Sequence, residues 1–493
     1  MNNYSEKESV KVGKASMKLA GAEFINVIFG IFYFLIITRT FSKIEMASVA
    51  VMSVIMNISA IISAFGLHAT NRKLTPEYVS KNEKEKISQL LWSSYVLIIS
   101  VSILLTFIVF LFAAPVSKIF FKKEGYEILM KIIAFSVFTN KFFETTFHNL
   151  TGFQKFTEIS LSQILNGVIV RIYALSLYFS SGIEGYLLGL ITGQFVISLW
   201  MLSIIRKYFG KFRFMSFKKL LKYSFPFYLN GYIRYGANHA DSLIVGFFLK
   251  PEVLATYYVA KRFINYLEIY FSAILRPLSP KIIELKKQGR EVIEKIFYRS
   301  TRYLSYTTVP PVFFLISISY FLLHIYGRGK YLSGIPVLIF LSLGGIITAF
   351  YSLFMGNVFS LGKPVETTKI EVVKSLVNVA GGLLIIKFFG ILGIALTNLI
   401  AGASGFVAGY LILKKFITPK VDLKTFKNVF LISLLCGCII GIPQFLFYSL
   451  PTVIISIFLG VSLFIFLVRN IMSEDDKKLF NLILGRKWRE IRS

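Results

Sequence analysis

At 493 residues, 55% hydrophobic and only 16% charged, the chain has the composition of a protein that crosses a membrane many times, not that of a soluble domain. Its formal net charge of +30 would suit a nucleic-acid binder only if the basic residues clustered on a soluble domain. They sit instead in short loops between apolar runs, the pattern of a membrane protein with positive cytoplasmic loops, so nucleic acid is excluded as a partner.

The chain opens on a basic stretch, residues 1–18, with no cleavage site after the apolar run that follows. It reads as a cytoplasmic tail, not a removed signal peptide. A span needs roughly 20 predominantly apolar residues. Fourteen segments qualify, at 17–38, 46–67, 89–114, 128–148, 159–181, 184–205, 225–249, 253–275, 303–323, 334–354, 368–388, 391–413, 426–447 and 451–471. The fourth and eleventh are the most polar, carrying Lys131, Lys141 and Glu144, and Lys369, Glu371 and Lys374. Even-numbered loops are rich in Lys and Arg: Arg72 to Lys86, Arg206 to Lys222, Arg276 to Arg302 and Lys414 to Lys427. Odd-numbered loops are poor, which places the even loops and both termini on the cytoplasmic side of the cell membrane.

Spans seven and eight, within Ser224 to Glu268, are apolar enough for lipid and yet carry charge, with a tight turn at Leu249-Lys250-Pro251-Glu252. On the first, Asn230, Arg234, Asn238 and Asp241 fall within about 80° of arc. On the second, Lys261, Asn265, Glu268 and Ser272 share one face, with Arg262 beside them. Intramembrane charge is costly and faces a bundle interior or a wet cavity, so two polar stripes on consecutive spans predict a polar cavity. Across the turn, Asp241 lies at the depth of Lys261, and Arg234 at that of Glu268. Such pairs would form a structural clasp, or a switch in which an arriving anion displaces the carboxylates. Glu23, on the first span, is either a proton-coupling carboxylate or the partner of a basic group.

A repeat runs through the chain. Asn149, Lys155, Glu158, Gly182 and Gly185 have counterparts in Asn357, Lys363, Glu366, Gly390 and Gly393, each pair 208 residues apart. Lys43-x-Glu45 matches Lys250-x-Glu252 at an offset of 207, which sets Lys261 and Arg262 against Val54 and Ile55. Shared offsets at equivalent places in the apolar pattern indicate duplication. An even number of spans separates the copies, so they run parallel. The expected fold is all-α: two parallel six-helix repeats and two added C-terminal helices. The expected domains are 1–212, 213–419 and 420–493.

No enzyme constellation appears. There is no G-x-x-x-x-G-K-[ST] and no G-x-S-x-G. Cys436 and Cys438 form a lone C-x-C without further metal ligands, and the four histidines are far apart in sequence. No metal or other cofactor is expected.

Tyr223-Ser-Phe-Pro226, Ala240-Asp241, Val245-Gly246, Lys250-Pro-Glu252, Tyr257, the Pro277/Pro280 exit and Phe65-Gly66-Leu67 complete the pattern. With 6+6+2 spans, the chain resembles the multidrug/oligosaccharidyl-lipid/polysaccharide exporter superfamily, and within it the polysaccharide-transport branch of Wzx-type flippases. It departs from that branch after the Lys-x-Glu turn, where Ala255-Thr256-Tyr257 stands for Gly-x-Tyr. The resemblance implies a flippase, not an enzyme, that moves a polyprenyl-diphosphate oligosaccharide by alternating access. It also implies coupling to a proton or sodium gradient or to membrane potential. The implied partners are the lipid-linked oligosaccharide, membrane lipids and glycan-assembly proteins. Arg234, Lys261 and Arg262 are then the expected diphosphate ligands, with Asn230, Asn238 and Asn265 beside them and Asp241, Glu268 and Glu23 as coupling or gating carboxylates. Arg39, Arg171 and Lys374 stand behind these, and Tyr232, Tyr235, Tyr257 and Tyr258 are candidates for a sugar-binding wall. The alternatives are a drug or organic-cation exporter of the same fold, whose cavity should be acidic, and a lipid-linked glycosyltransferase or ligase, which needs a large external loop.

Overall fold

The computed structural model describes residues 2–63, 66–216, 220, 224–225, 233, 239–447, 449–472, 474 and 476–477. The described chain is helical: α1 (Asn2–Thr40), α2 (Lys43–Ser63), α3 (Leu67–Ser80), α4 (Lys84–Leu111), α5 (Ala113–Phe121), α6 (Glu127–Gly152), α7 (Phe156–Ile164) and α8 (Val170–Ile205) come first. They are followed by α9 (His239–Phe248). Then come α10 (Pro251–Leu275), α11 (Leu278–Leu285), α12 (Arg290–Ser317), α13 (Ser319–Gly327), α14 (Ile335–Ser360), α15 (Pro364–Leu413), α16 (Leu423–Leu446) and α17 (Leu450–Ile471).

Local chemistry sets the breaks. Ser42 and Glu45 form a reciprocal cap at the start of α2: the Ser42 amide donates to Glu45 Oε2 (2.7 Å) and the Glu45 amide to Ser42 Oγ (3.2 Å). The expected turn at 249–252 is present, with Pro251 opening α10, where its missing N–H leaves no bond unmade. The second expected span falls on α2, described up to Ser63, and its last residue, Leu67, opens the separate helix α3. The ninth starts earlier and bends by 56° between α12 and α13.

Among the described residues, eight helical stretches are long and apolar enough to cross a membrane. Two of these, 53 and 50 residues long, hold two expected spans each. Both break at a glycine in a backbone region closed to other residues: Gly182 (φ 62°, ψ −151°) and Gly390 (φ 55°, ψ −138°).

Those two glycines are equivalent in the repeat, and the equivalence extends through the backbone. The starts and ends of α4 and α5 lie 206 residues before those of α12 and α13, and both ends of α6 lie 208 before those of α14. After α6, the amides of Phe153, Gln154 and Lys155 donate to the carbonyls of Asn149, Thr151 and Leu150. After α14, Leu361, Gly362 and Lys363 donate to Asn357, Phe359 and Val358, the same three bonds 208 residues on. Gln154 (φ 55°) and Gly362 (φ 81°) take the same left-handed position. The starts of α2 and α10 are also 208 apart, so the 207 offset drawn from Lys43 and Lys250 is one residue out of helical register.

Two compact units result, residues 1–258 with 378–391 and residues 259–377 with 392–493. Their cores use equivalent positions. Ile87, Leu91, Ile98, Leu150 and Ile205 are buried in the first, and Ile293, Phe297, Leu304, Val358 and Leu413 in the second.

Space around Gly182 is open, so Gly182→Ala tests the backbone alone. It is expected to lower stability by about 1–3 kcal/mol, read as a drop in the melting temperature of purified protein. An unchanged melt would show that this break needs no glycine.

Candidate functional site

Helix α10 carries the better-described half of the predicted charge set. Leu254, Tyr257, Ala260, Phe263, Ile264 and Phe271 are buried, while Lys261, Arg262 and Asn265 are half-buried and Glu268 and Ser272 exposed. The polar stripe therefore lies off the buried side of the helix, with Ile269 and Tyr270 exposed beside it. The Arg262 guanidinium lies 5.5 Å from the Tyr266 ring, near enough for cation–π attraction.

On α9, Asp241 is buried and satisfied by short bonds. It accepts from the Tyr257 hydroxyl (2.6 Å), the Ser242 amide (2.6 Å) and the Ser242 hydroxyl (3.2 Å). Tyr257 is wholly enclosed. It holds the carboxylate of Asp241 and does not offer its ring as a sugar-binding wall. Asn230, Arg234 and Asn238, with Tyr232 and Tyr235, lie outside the described residues.

On α1, Glu23 is half-buried. One turn on, Asn26 Nδ2 donates to the Gln163 carbonyl (3.1 Å) beside a turn of π-helix at Leu165–Ile169. A Cβ on Gly167 would lie 1.8 Å from Asn26 Oδ1, so the two segments approach through a glycine. Arg171 packs its guanidinium 5.5 Å from the Tyr33 ring, whose hydroxyl bonds that of Tyr186 (2.6 Å). Lys374 lies 4.9 Å from the Tyr351 ring, one turn after buried Glu371.

A second polar centre has no counterpart in the sequence-based site. Lys141 of α6 is fully enclosed and ion-paired with Glu144, which is 31% exposed. Thr145 and His148 continue the same face, and α3 brings His68 against it. The rings of His68 and His148 lie 4.5 Å apart, and His68 Nε2 is 3.4 Å from Thr145 Oγ1. The histidines that looked unrelated by their spacing are thus neighbours, because α3 folds back along α6. Around them, Asn71 Nδ2 donates to Asn149 Oδ1 (2.9 Å), Asn149 Nδ2 to the Thr145 carbonyl (2.9 Å) and the Tyr95 hydroxyl to Thr146 (3.0 Å). Lys141, Glu144 and His148 stand at i, i+3 and i+7. That is the type of stripe used to find the α10 face, and it was available in the sequence.

An apolar cavity of about 310 Å³ lies among α12, α16 and α17, lined by Pro310, Phe314, Cys436, Ile440, Val461 and Phe464. Cys436 is buried and Cys438 exposed, diverging as i, i+2 residues must. A Cβ on Gly460 would come within 2.3 Å of Ile440, so α16 and α17 meet closely at this glycine.

A duplicated bundle of apolar helices, with charge on half-buried helix faces, defines an all-helical, multi-pass membrane protein. The chain belongs to the polysaccharide biosynthesis protein family, whose model matches residues 12–286. It is 24% identical over 367 residues to an uncharacterized membrane protein of Methanocaldococcus jannaschii, covering 69% of this chain and 71% of that one. It is 22% identical over 271 residues to the "Probable flippase AglR" of Haloferax volcanii, covering 54% and 57%. Among solved structures it is similar in fold to the lipid II flippase MurJ in an inward closed conformation, with TM-score 0.75, 18% identity, and 94% and 99% of the two chains covered. It is also similar to an inward-facing multidrug resistance MATE family transporter, with TM-score 0.66, 14% identity, and 82% and 99% covered.

Glu144→Gln would strand the enclosed ammonium of Lys141. Removing one partner of a fully buried pair costs ~3–5 kcal/mol, and the partial exposure of Glu144 brings the expected loss to about 2–3 kcal/mol. Adding Lys141→Met should restore most of it. A double variant no more stable than Glu144→Gln alone would contradict the pairing.

Proposed function

We propose that the chain is a flippase that carries a polyprenyl- or dolichyl-diphosphate oligosaccharide across the cytoplasmic membrane for surface glycan synthesis. The observation that carries this is the accessible Lys261–Arg262–Asn265 face on α10, in a chain of the polysaccharide biosynthesis family. A lipid diphosphate is an anion rich in acceptor oxygens, and Lys and Arg on a half-buried helix bind it by charge-assisted hydrogen bonds. The cavity among α12, α16 and α17 has the apolar lining that an isoprenoid tail requires.

In this reading the repeats 1–212 and 213–419 alternate access to a central cavity, and 420–493 adds the last two helices. The basic loops and both termini face the cytoplasm. A proton or sodium gradient, or membrane potential, supplies the drive. Asn230, Arg234 and Asn238 complete the anion site, and Asp241, Glu268 and Glu23 gate it. Glycan-assembly proteins would act before and after it.

The MATE-like fold supports a second reading, export of an organic cation. The two differ in charge: a cation site needs net acidity, and α10 offers adjacent Lys261 and Arg262 on its accessible side.

Lys261→Gln and Arg262→Gln are each expected to reduce surface glycan export about tenfold or more, the loss of one charge-assisted bond of roughly 1.5–3 kcal/mol, with membrane insertion unchanged. Full export by both variants would count against anion binding on this helix.

A further inference from the structure

The segments that follow α8 and α15 run alongside α4 and α12. After α8, residues 206–216 lie along the first three turns of α4. The Gly210 amide donates to Ser88 Oγ (2.9 Å), and the Ser88 hydroxyl to the Lys211 carbonyl (3.3 Å). The Trp92 indole N–H donates to the Gly210 carbonyl (3.3 Å), and its ring meets Phe209 (4.9 Å) and Phe212 (4.8 Å) edge-on. Arg213 pairs with Glu85 (2.5 Å). The Met215 amide donates to Ser93 Oγ (2.8 Å), and the Met215 side chain is buried in the first core. Tyr208 stacks on Phe153 at 4.0 Å.

After α15, residues 414–422 do the same along α12. The Thr418 amide donates to Glu294 Oε1 (2.6 Å), Arg290 to Thr418 Oγ1 (3.0 Å) and the Asp422 amide to Thr301 Oγ1 (3.1 Å). Ser88 and Glu294 are 206 residues apart, and Gly210 and Thr418 are 208 apart. These are the offsets of the helices that carry them. One backbone amide therefore docks at one helical position in both copies, on a hydroxyl in the first and a carboxylate in the second. A contact kept while its chemistry changed points to selection for the placement of the segment.

We infer that these two segments are straps that stay fastened through the transport cycle, so that residues 206–216 move together with α4. The second strap likewise fixes α16, whose cap is Asp422, to the second repeat. The inference rests on the alternating-access reading, which requires the repeats to move against each other.

A crosslink tests it. A Cβ on Gly210 would lie 3.5 Å from Ser88 Cβ, within the range a disulfide spans. In full-length protein with exposed Cys438→Ser and buried Cys436 kept, the pair Ser88→Cys and Gly210→Cys is expected to crosslink under mild oxidation. The oxidised protein should translocate lipid-linked oligosaccharide in liposomes within about twofold of the reduced protein, because a strap that never opens is not impeded by being locked. Failure to crosslink, or transport lost on oxidation and restored by reductant, would overturn the inference. If even the reduced protein moves no such lipid, the transport reading fails, and hydrogen exchange still decides the strap. The amides of Gly210 and Met215 should be protected to the level of the start of α4, and Ser88→Ala should expose Gly210. Exchange there as fast as in an unstructured peptide would overturn it.

Discussion

Within a bilayer a polar side chain has no water to turn to, and apolar contact between helices gains little over contact with lipid. Helix pairs in this chain are accordingly registered by buried polar bonds. Asn71 with Asn149 ties α3 to α6, Tyr33 with Tyr186 ties α1 to α8, and Asp241 with Tyr257 ties α9 to α10. Each bond satisfies groups that would otherwise cost free energy in lipid, and each specifies a single alignment of the two helices. The enclosed Lys141 follows the same rule along one helix, where Glu144 neutralises it one turn on. Asp241, a functional candidate by its place in an apolar span, is thus also one of the residues that hold the bundle together.

Duplication supplied two copies of a backbone, and the copies then diverged in charge. Caps, left-handed residues, glycine breaks and core positions coincide at offsets of 206 and 208. The polar centre of the first repeat has no equivalent in the second: Lys141, Glu144 and His148 correspond to Ala349, Ser352 and Gly356, and only Asn149 persists, as Asn357. Conversely, Lys261 and Arg262 correspond to Ser53 and Val54 in the register of the helix starts. A pseudo-symmetric scaffold with unlike charge in its halves suits a carrier whose cargo has a charged head and a neutral remainder.

Much of this was legible in the sequence, because apolar length and repeated spacing are local properties. Most of the described spans, the parallel repeat, the turn at Pro251 and the half-buried polar face of α10 follow from counting along the chain. What escaped was set by tertiary contact. The neighbourhood of His68 and His148 depends on α3 folding along α6, and no periodicity encodes that. The enclosure of Tyr257 depends on the proximity of Asp241 across a turn. The straps were invisible for a related reason: Ser88, Trp92 and Gly210 have no pattern of their own, and the linker reads only as a basic loop. The stripe on α6 was present in the sequence, but its lysines marked it as a poor span before they marked it as a site.

The most direct measurement uses purified full-length protein in sealed liposomes with a fluorescent polyprenyl-diphosphate oligosaccharide and, in parallel vesicles, an organic cation. Protein-dependent movement of the lipid-linked sugar between leaflets, without cation uptake, is the expected result. Cation uptake with no movement of the lipid-linked sugar would contradict the flippase assignment.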